Sequence, residues 1–495
     1  EGVALHFDTP YSGSGFLSSP PRSVQEESIG SVRVRSWKGE SSEEDAPSSD
    51  HFLLGVHSVT DVRIKLLHLQ GVRGEISLDM TGRSVSGDLF HRTEIYQADW
   101  KKGEGGEWLF STLKRLSGRW LESSRLLFED QTEALGLRLP PSVKWKDLPL
   151  FMEPFSFLGG IAAGDFDRDG DLDLYVPRIG KNILFRKEGA KFVPLPGDEG
   201  VGSAALFVDL DNDGWLDLLL ANLESKKMPT SRGLRQNSSG RALVWLRNQG
   251  NGTFEDRTKG AGLQVQGPAM SLAASDIDRD GDLDFYVCFY KDFGKESESY
   301  VPIPDDILQA SNGVPNQLWI NQGDGTFREE ASKRGVADKG WSFSASFADY
   351  DNDGDPDLSV ANDFGQNRLY RNLGEGRFED VTAASGASDA GFGMGVSWGD
   401  VDGDGRLDQY VSNMYSTAGN RLLSTEDDSR LHKMARGNTL LLNRKEGTFE
   451  DVSEKAGVGR AGWAWSNSFL DYNSDGYPDL YVANGYMTGE SDFDL

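Results

Sequence analysis

The chain is 495 residues long and carries 79 acidic against 51 basic side chains, a formal net charge of −28 at pH 7. That excess argues against nucleic acid or an anionic membrane surface as the principal partner, since both would repel it. Cys288 is the only cysteine, which excludes an intrachain disulfide and leaves packing and bound metal to hold the fold.

In chain order, residues 1–50 are rich in Ser, Pro, Gly and Glu (SSPPRS at 18–23, GESSEEDAPSSD at 39–50) and read as an extended arm with an acidic linker. A short β run, SVRVRSW from Ser31, interrupts it. Residues 51–125 read as a small β-rich domain, because VRIKLLHL from Val62, GEISLDMTGRSV from Gly74, TEIYQADW from Thr93 and EWLFSTLKRL from Glu107 alternate as strands do. The chain begins at Glu1 and holds no membrane-spanning run, so an exported protein with its signal removed is the expectation.

Residues 126–495 repeat. A nine-residue loop, D-x-D-x-D-G-x-x-D, begins at Asp165, Asp209, Asp276, Asp349, Asp400 and Asp471. Positions 1, 3, 5 and 9 are Asp165, Asp167, Asp169, Asp173 in the first copy and Asp209, Asp211, Asp213, Asp217 in the second. They are Asp276, Asp278, Asp280, Asp284 in the third and Asp349, Asp351, Asp353, Asp357 in the fourth. The last two copies give Asp400, Asp402, Asp404, Asp408 and Asp471, Asn473, Asp475, Asp479, where Asn473 keeps an oxygen ligand. Position 6 is always Gly, as a sharp turn requires. Position 7 (Asp171, Trp215, Asp282, Asp355, Arg406, Tyr477) shares no side-chain chemistry, so its expected contribution is a backbone carbonyl. Positions 2 and 4 read as free to vary. Oxygen ligands crowded around a glycine turn suit a hard cation, and the expected cofactor is Ca²⁺, up to six ions.

An EF-hand opens similarly but needs Glu at position 12 between two helices. Here position 12 is Val176, Leu220, Val287, Val360, Val411 and Val482, and each loop runs into a Leu-, Val- and Tyr-rich strand. Acidic Asp-Gly surface turns without metal are the plain alternative; six copies with identical spacing argue against it.

Two further elements accompany the loop. One is LFEDQTEALGL from Leu127, TFEDRTKGAGL from Thr253, TFREEASKRGV from Thr326, RFEDVTAASGA from Arg377 and TFEDVSEKAGV from Thr448. The other is NILF at Asn182, VWLRN at Val244, NQLWIN at Asn316, NRLYRN at Asn367 and NTLLLN at Asn438. About four short strands per unit, with loops spaced 44, 67, 73, 51 and 71 residues apart, suit the blades of a β-propeller. The expected fold is all-β: six visible repeat units, making six or seven blades, behind the small β-rich domain. The last unit lacks the third element before Leu495, which leaves an edge to be paired and the blade number open. Insertions at about 223–243, 290–315 and 412–437 share one place in the unit and should emerge on one face, a binding surface or a cover for blade edges.

On GDFDRDGDLDLYV, RLYRNLGEGRFEDVT, VSNMYSTAGNR and AGWAWSNSFLDYNSDGYPDLYVANGYMTG, the stretch 125–490 resembles FG-GAP/VCBS-repeat proteins of bacteria, related to the ASPIC/UnbV and cartilage acidic protein group. It is similar to the integrin α-subunit propeller, whose blades hold Ca²⁺ in such loops. The resemblance implies a secreted, calcium-loaded propeller and no single activity.

No histidine pair has metal-ligand spacing, and nucleophile-elbow, P-loop and dinucleotide motifs are missing. Cys288 in LDFYVCFY reads as a buried core thiol, and sequons at Asn237 and Asn251 permit glycosylation. The leading expectation is a non-catalytic extracellular scaffold or adhesion protein, a homo-oligomer or a polymer (filament, tube or surface layer) formed by strand exchange. The alternatives are a propeller that binds a glycan or protein ligand on the inserted-loop face, and an extracellular enzyme.

Overall fold

In the computed structural model the chain divides into two compact units, Glu1–Glu129 and Asp130–Leu495. The structure describes residues 25–29, 32–38, 44–45, 56–70, 72–102, 108–123, 130–139, 160–223, 241–291, 304–306, 309–415, 436–472 and 474–484. It is all-β, 50% strand and 3% helix.

The first unit is one antiparallel sheet of β1 (Gln25–Ile29), β2 (Val32–Lys38), β3 (Glu44–Asp45), β4 (Val56–Gln70), β5 (Arg73–Ser84), β6 (Leu89–Lys102) and β7 (Trp108–Ser123). Its order is β1-β2-β7-β6-β5-β4, with β3 also on β7. Residues 25–45, read from sequence as part of an extended arm, thus carry strands of this sheet; SVRVRSW supplies β2, which pairs with β7 from Val32↔Ser123. Alternation places Ile76, Leu78, Met80, Phe90, Tyr96 and Ala98 on the buried face. Glu94 is buried among them and is neutralised by Arg92 at 2.8 Å and Arg115 at 3.0 Å.

The second unit repeats a four-stranded antiparallel blade. Blade one comprises β8 (Ala162–Gly164), β9 (Asp173–Val176), β10 (Ile179–Glu188) and the first part of β11 (Lys191–Val208). The long β11 then becomes the first strand of blade two, with β12 (Asp217–Asn222), β13 (Leu243–Asn248) and β14 (Phe254–Asp256). Blade three is β15 (Ala269–Ser275), β16 (Asp284–Phe289), β17 (Gln317–Asn321) and β18 (Phe327–Glu329). Blade four is β19 (Ser342–Ala348), β20 (Asp357–Asn362), β21 (Arg368–Asn372) and β22 (Phe378–Asp380). Blade five is β23 (Gly395–Gly399), β24 (Asp408–Ser412), β25 (Thr439–Arg444) and β26 (Thr448–Asp451). In blade six the described strands are β27 (Ala464–Leu470) and β28 (Asp479–Asn484).

First strands adjoin in sequence order, β8 beside β11, then β15, β19, β23 and β27. This is a β-propeller-type repeat architecture, and it does not close among the described residues. Second strands β12, β16, β20 and β24 are buried along their whole length, which fits their mainly apolar sequences. The three insertions leave at the ends of β12, β16 and β24 and return at β13, β17 and β25, so all three join second strand to third. They lie largely outside the described residues.

After each outer strand the FED element makes a cap: a turn, or a single helical turn in α1 (Ala331–Arg334) and α2 (Ser453–Ala456), closed by a glycine. Gly262, Gly335, Gly386 and Gly457 have φ between 72° and 85°, a region that strains other residues. Where the next blade's outer strand is described, the cap lies on it. Ala261 accepts the Phe327 amide at 3.0 Å, and Ser385 accepts that of Phe449 at 2.7 Å. Asp130–Leu137 repeat this cap before the first blade: Leu135 accepts the Phe192 amide at 2.8 Å, and Gly136 has φ 76°.

Candidate metal centres

Every acidic loop is the hairpin between first and second strands, and position 9 is the first residue of the second strand. The residue before the loop pairs with it: Gly164↔Asp173, Val208↔Asp217, Ser275↔Asp284, Ala348↔Asp357, Gly399↔Asp408 and Leu470↔Asp479.

The loop is wound around its own carboxylates. Position 1 accepts the glycine amide of position 6 in all six copies: Asp165 from Gly170, Asp209 from Gly214, Asp276 from Gly281, Asp349 from Gly354, Asp400 from Gly405 and Asp471 from Gly476, at 2.8–3.1 Å. Position 5 accepts the amide of position 7 in each: Asp169 from Asp171, Asp213 from Trp215, Asp280 from Asp282, Asp353 from Asp355, Asp404 from Arg406 and Asp475 from Tyr477. These bonds turn the chain back on itself, so the acidic side chains converge instead of fanning outward.

Within 4.8 Å of one another lie oxygens of Asp165, Asp167 and Asp173; Asp209, Asp211 and Asp213; Asp276, Asp278 and Asp284; Asp349, Asp351 and Asp353; and Asp400, Asp402 and Asp404. Position 9 joins the close group in loops one and three, and position 5 joins it in loops two, four and five. In loop six Asn473 lies outside the described residues.

In the first four loops the position 7 side chains bond outside their own acidic cluster, whereas in loop five the side chain turns onto a position 5 carboxylate. Asp171 takes Lys187 Nζ at 2.8 Å, Asp282 takes Asn212 Nδ2 at 2.6 Å, and Asp355 takes Arg279 Nε at 3.1 Å. Trp215 lies under the Arg168 guanidinium, and Arg406 pairs with Asp404. Tyr477 is largely exposed.

Burial dominates the electrostatics. It pushes the position 9 carboxyls up from the usual range, to about 6 for Asp217, about 7 for Asp284 and about 8 for Asp357. Asp173 and Asp408 move the same way. Asp167, Asp278 and Asp351 are raised by burial and then by the neighbouring loop carboxylates. Among the described residues, Oδ1 of Asp167, Asp209, Asp211 and Asp278 is buried without a hydrogen-bond partner. Unpartnered, mutually repelling oxygens on a glycine-turned loop fit a hard divalent cation, which would supply the missing charge. In loop two Arg247 reaches Asp211 and, at 2.7 Å, Asp213, so a cation would compete there with a guanidinium.

Positions 2 and 4 are not free. Position 2 is apolar throughout, and Phe166, Leu210, Ile277 and Tyr350 are at most 2% exposed. Phe166 packs on Phe254 (5.7 Å between centroids) and Tyr350 on Phe449 (5.5 Å), each a residue of the next blade's outer strand. Position 4 takes left-handed backbone: Arg168, Asn212, Arg279, Asn352, Gly403 and Ser474 have φ between 54° and 73°. From there Asn212 donates to the Gly281 carbonyl at 3.0 Å, Asn352 to that of Gly405 at 3.2 Å, and Arg279 to that of Gly354. In the first four loops the position 4 residue therefore touches the following loop.

Cys288 is fully buried in β16, with its thiol pKa raised well above the ordinary value by burial. That is the chemistry of a core residue.

The FG-GAP-like repeat family matches residues 165–220, 209–287, 305–360, 349–411 and 422–482, more than half of the chain. The chain is 24% identical to cartilage acidic protein 1 of Homo sapiens, over 66% of this chain and 56% of that protein. It is 23% identical to the Mus musculus protein, over 66% and 57%. The chain thus spans little more than half the length of the curated relatives it matches. Among solved structures, the V. cholerae biofilm matrix protein Bap1 aligns over 59% of this chain and 38% of its own, at 14% identity and a TM-score of 0.29, too low to speak to fold or role.

Proposed function

We propose, for a chain that belongs to the FG-GAP-like repeat family, an extracellular scaffold or adhesion role built on blades locked by calcium. The observation that carries the reading is the recurrence of one carboxylate cluster at the same hairpin of successive blades, with buried oxygens lacking partners. The position 1, 3, 5 and 9 carboxylates, with the position 7 carbonyl, would hold the ion. Bound calcium supplies the charge that lets four acidic groups share one turn. The residues themselves fix the turn, bury the position 9 carboxylate and tie the loop to the second strand.

Such a chain folds firmly where calcium is millimolar and loosens where it is scarce, which suits an extracellular setting. The curated relatives are named for cartilage, an extracellular tissue, which supports the extracellular setting.

Blade six extends the reading to assembly. Tyr481 on β28 is 53% exposed, whereas the equivalent strands of blades two to five are buried throughout. Such a surface accepts an added strand, and a second copy of the chain is the partner this role calls for. Negative-stain microscopy and sedimentation in millimolar calcium and in EDTA test it. Calcium-dependent filaments or oligomers support assembly, and monodisperse single particles under both conditions contradict it.

A further inference from the structure

The third strands of blades two to five carry a buried asparagine at or next to their end: Asn248, Asn321, Asn372 and Asn443, each at most 3% exposed. The side-chain amide of each donates backward across the blade boundary, to the position 2 carbonyl of the preceding loop. Asn248 reaches Phe166 at 2.8 Å, Asn321 reaches Leu210 at 2.9 Å, Asn372 reaches Ile277 at 2.9 Å and Asn443 reaches Tyr350 at 2.7 Å. The same amides donate to the position 8 carbonyls of their own loops, at Leu216, Leu283, Pro356 and Leu407.

Their backbone amides donate to the position 9 carboxylates of their own loops: Asn248 to Asp217, Asn321 to Asp284, Asn372 to Asp357 and Asn443 to Asp408, at 2.7–2.8 Å. Each position 9 carboxylate also accepts its loop's position 2 amide, as Asp173 does from Phe166, Asp217 from Leu210, Asp284 from Ile277, Asp357 from Tyr350 and Asp408 from Val401. These bonds join end to end. One hydrogen-bonded line runs Asp173, Phe166, Asn248, Asp217, Leu210, Asn321, Asp284, Ile277, Asn372, Asp357, Tyr350, Asn443 and Asp408.

We propose that Asn248, Asn321, Asn372 and Asn443 are positioning residues that make each acidic loop a two-blade site, so that cation occupancy of one loop tightens the docking of the following blade. The inference rests on the calcium reading above. A position 9 carboxylate fixed in place holds the position 2 amide that donates to it. Holding that residue presents its carbonyl to the asparagine of the next blade, which in turn orients the next position 9 carboxylate. Blade one has Lys187 in place of the asparagine, with its backbone amide on Asp173 and its ammonium group on Asp171, so the line starts there.

The test is hydrogen exchange, read by mass spectrometry on the whole chain in saturating calcium and after chelation. Asp351→Ala removes a position 3 ligand of loop four that takes no part in the line. In calcium it should speed exchange of β25, in blade five, by about tenfold. In an Asn443→Ala background the same change at Asp351 should leave β25 unaltered. A rise confined to β19–β21 overturns the proposal, and should Asn443→Ala not fold, Asp351→Ala alone decides, since its effect either crosses the boundary or stops at it. Wild-type exchange that is identical in calcium and in chelator overturns the calcium reading itself, and the coupling with it.

Discussion

The side-chain amide of Asn372 donates to the backbone carbonyl of Ile277 across 95 residues of chain, at 2.9 Å. Ile277 is position 2 of the third acidic loop, and Asn372 ends the third strand of the fourth blade. One bond therefore joins a cation-type loop to the blade that follows it, and the same bond recurs at three other boundaries. On the coupling proposed above, folding of a blade and filling of its neighbour's loop become one problem.

Asp351→Ala separates repulsion from ligation. Asp351 is partly buried beside Asp353 and Asp349, which raise its pKa after burial does. Without calcium the substitution relieves crowding and should leave the melting temperature equal or higher. In saturating calcium it should cost about 3 kcal/mol, the stabilisation lost when a ligand present at some hundred times its Kd no longer binds. Paired thermal melts with calcium and with EDTA read both signs.

Asn352→Val tests the left-handed position. Asn352 has φ 60° and donates to the Gly405 carbonyl at 3.2 Å. A β-branched residue there should cost about 1–3 kcal/mol in backbone strain alone. Asn352→Gly, which matches Gly403 of the next loop, should cost less. Denaturant unfolding of the two variants in calcium gives the ranking.

The buried position 9 carboxyls should give metal-free and calcium-loaded protein opposite pH responses. Asp217, Asp284 and Asp357 have pKa values raised from 3.8 to about 6, about 7 and about 8. A raised folded pKa contributes stability that is fully present below the unfolded value and is lost as pH rises through the folded value. The chelated chain should therefore weaken steadily from pH 4 to about pH 8. Calcium needs the ionised carboxylate, so its binding should release protons and weaken as pH falls through about 8, 7 and 6. Calorimetry in buffers of different ionisation enthalpy measures the protons directly.

Cys288 offers a built-in reporter. Its thiol is fully buried in β16, immediately after the loop-three strand residues that begin at Asp284. In calcium it should resist maleimide. After chelation, labelling should accelerate by at least about tenfold as blade three opens.

Much of this architecture is legible in the chain. The loops, their feeding of a strand, the two accompanying elements and the common place of the insertions all show as self-similarity at fixed offsets. What escapes is the bonding between units. Phe166, Leu210, Ile277, Tyr350, Val401 and Tyr472 are uniformly apolar, yet position 2 looks unconstrained in a single loop because its packing partner, Phe254 for Phe166, belongs to another blade. Position 4 conceals its left-handed backbone for a different reason. Asn212, Asn352 and Gly403 are residues that adopt it readily, but Arg168 and Arg279 are not, and they mask the signal. The asparagines at 248, 321, 372 and 443 stand in the strand motifs VWLRN, NQLWIN, NRLYRN and NTLLLN, where a strand-ending Asn has no evident partner until the preceding loop is placed beside it.

The most direct measurement is elemental analysis of the purified chain by mass spectrometry, paired with circular dichroism melts before and after chelation. Calcium bound at several ions per chain, up to six, with a melting temperature that falls on chelation and recovers on readdition, is the expected result. A chain that carries no calcium and melts identically under both conditions would contradict the account at its root.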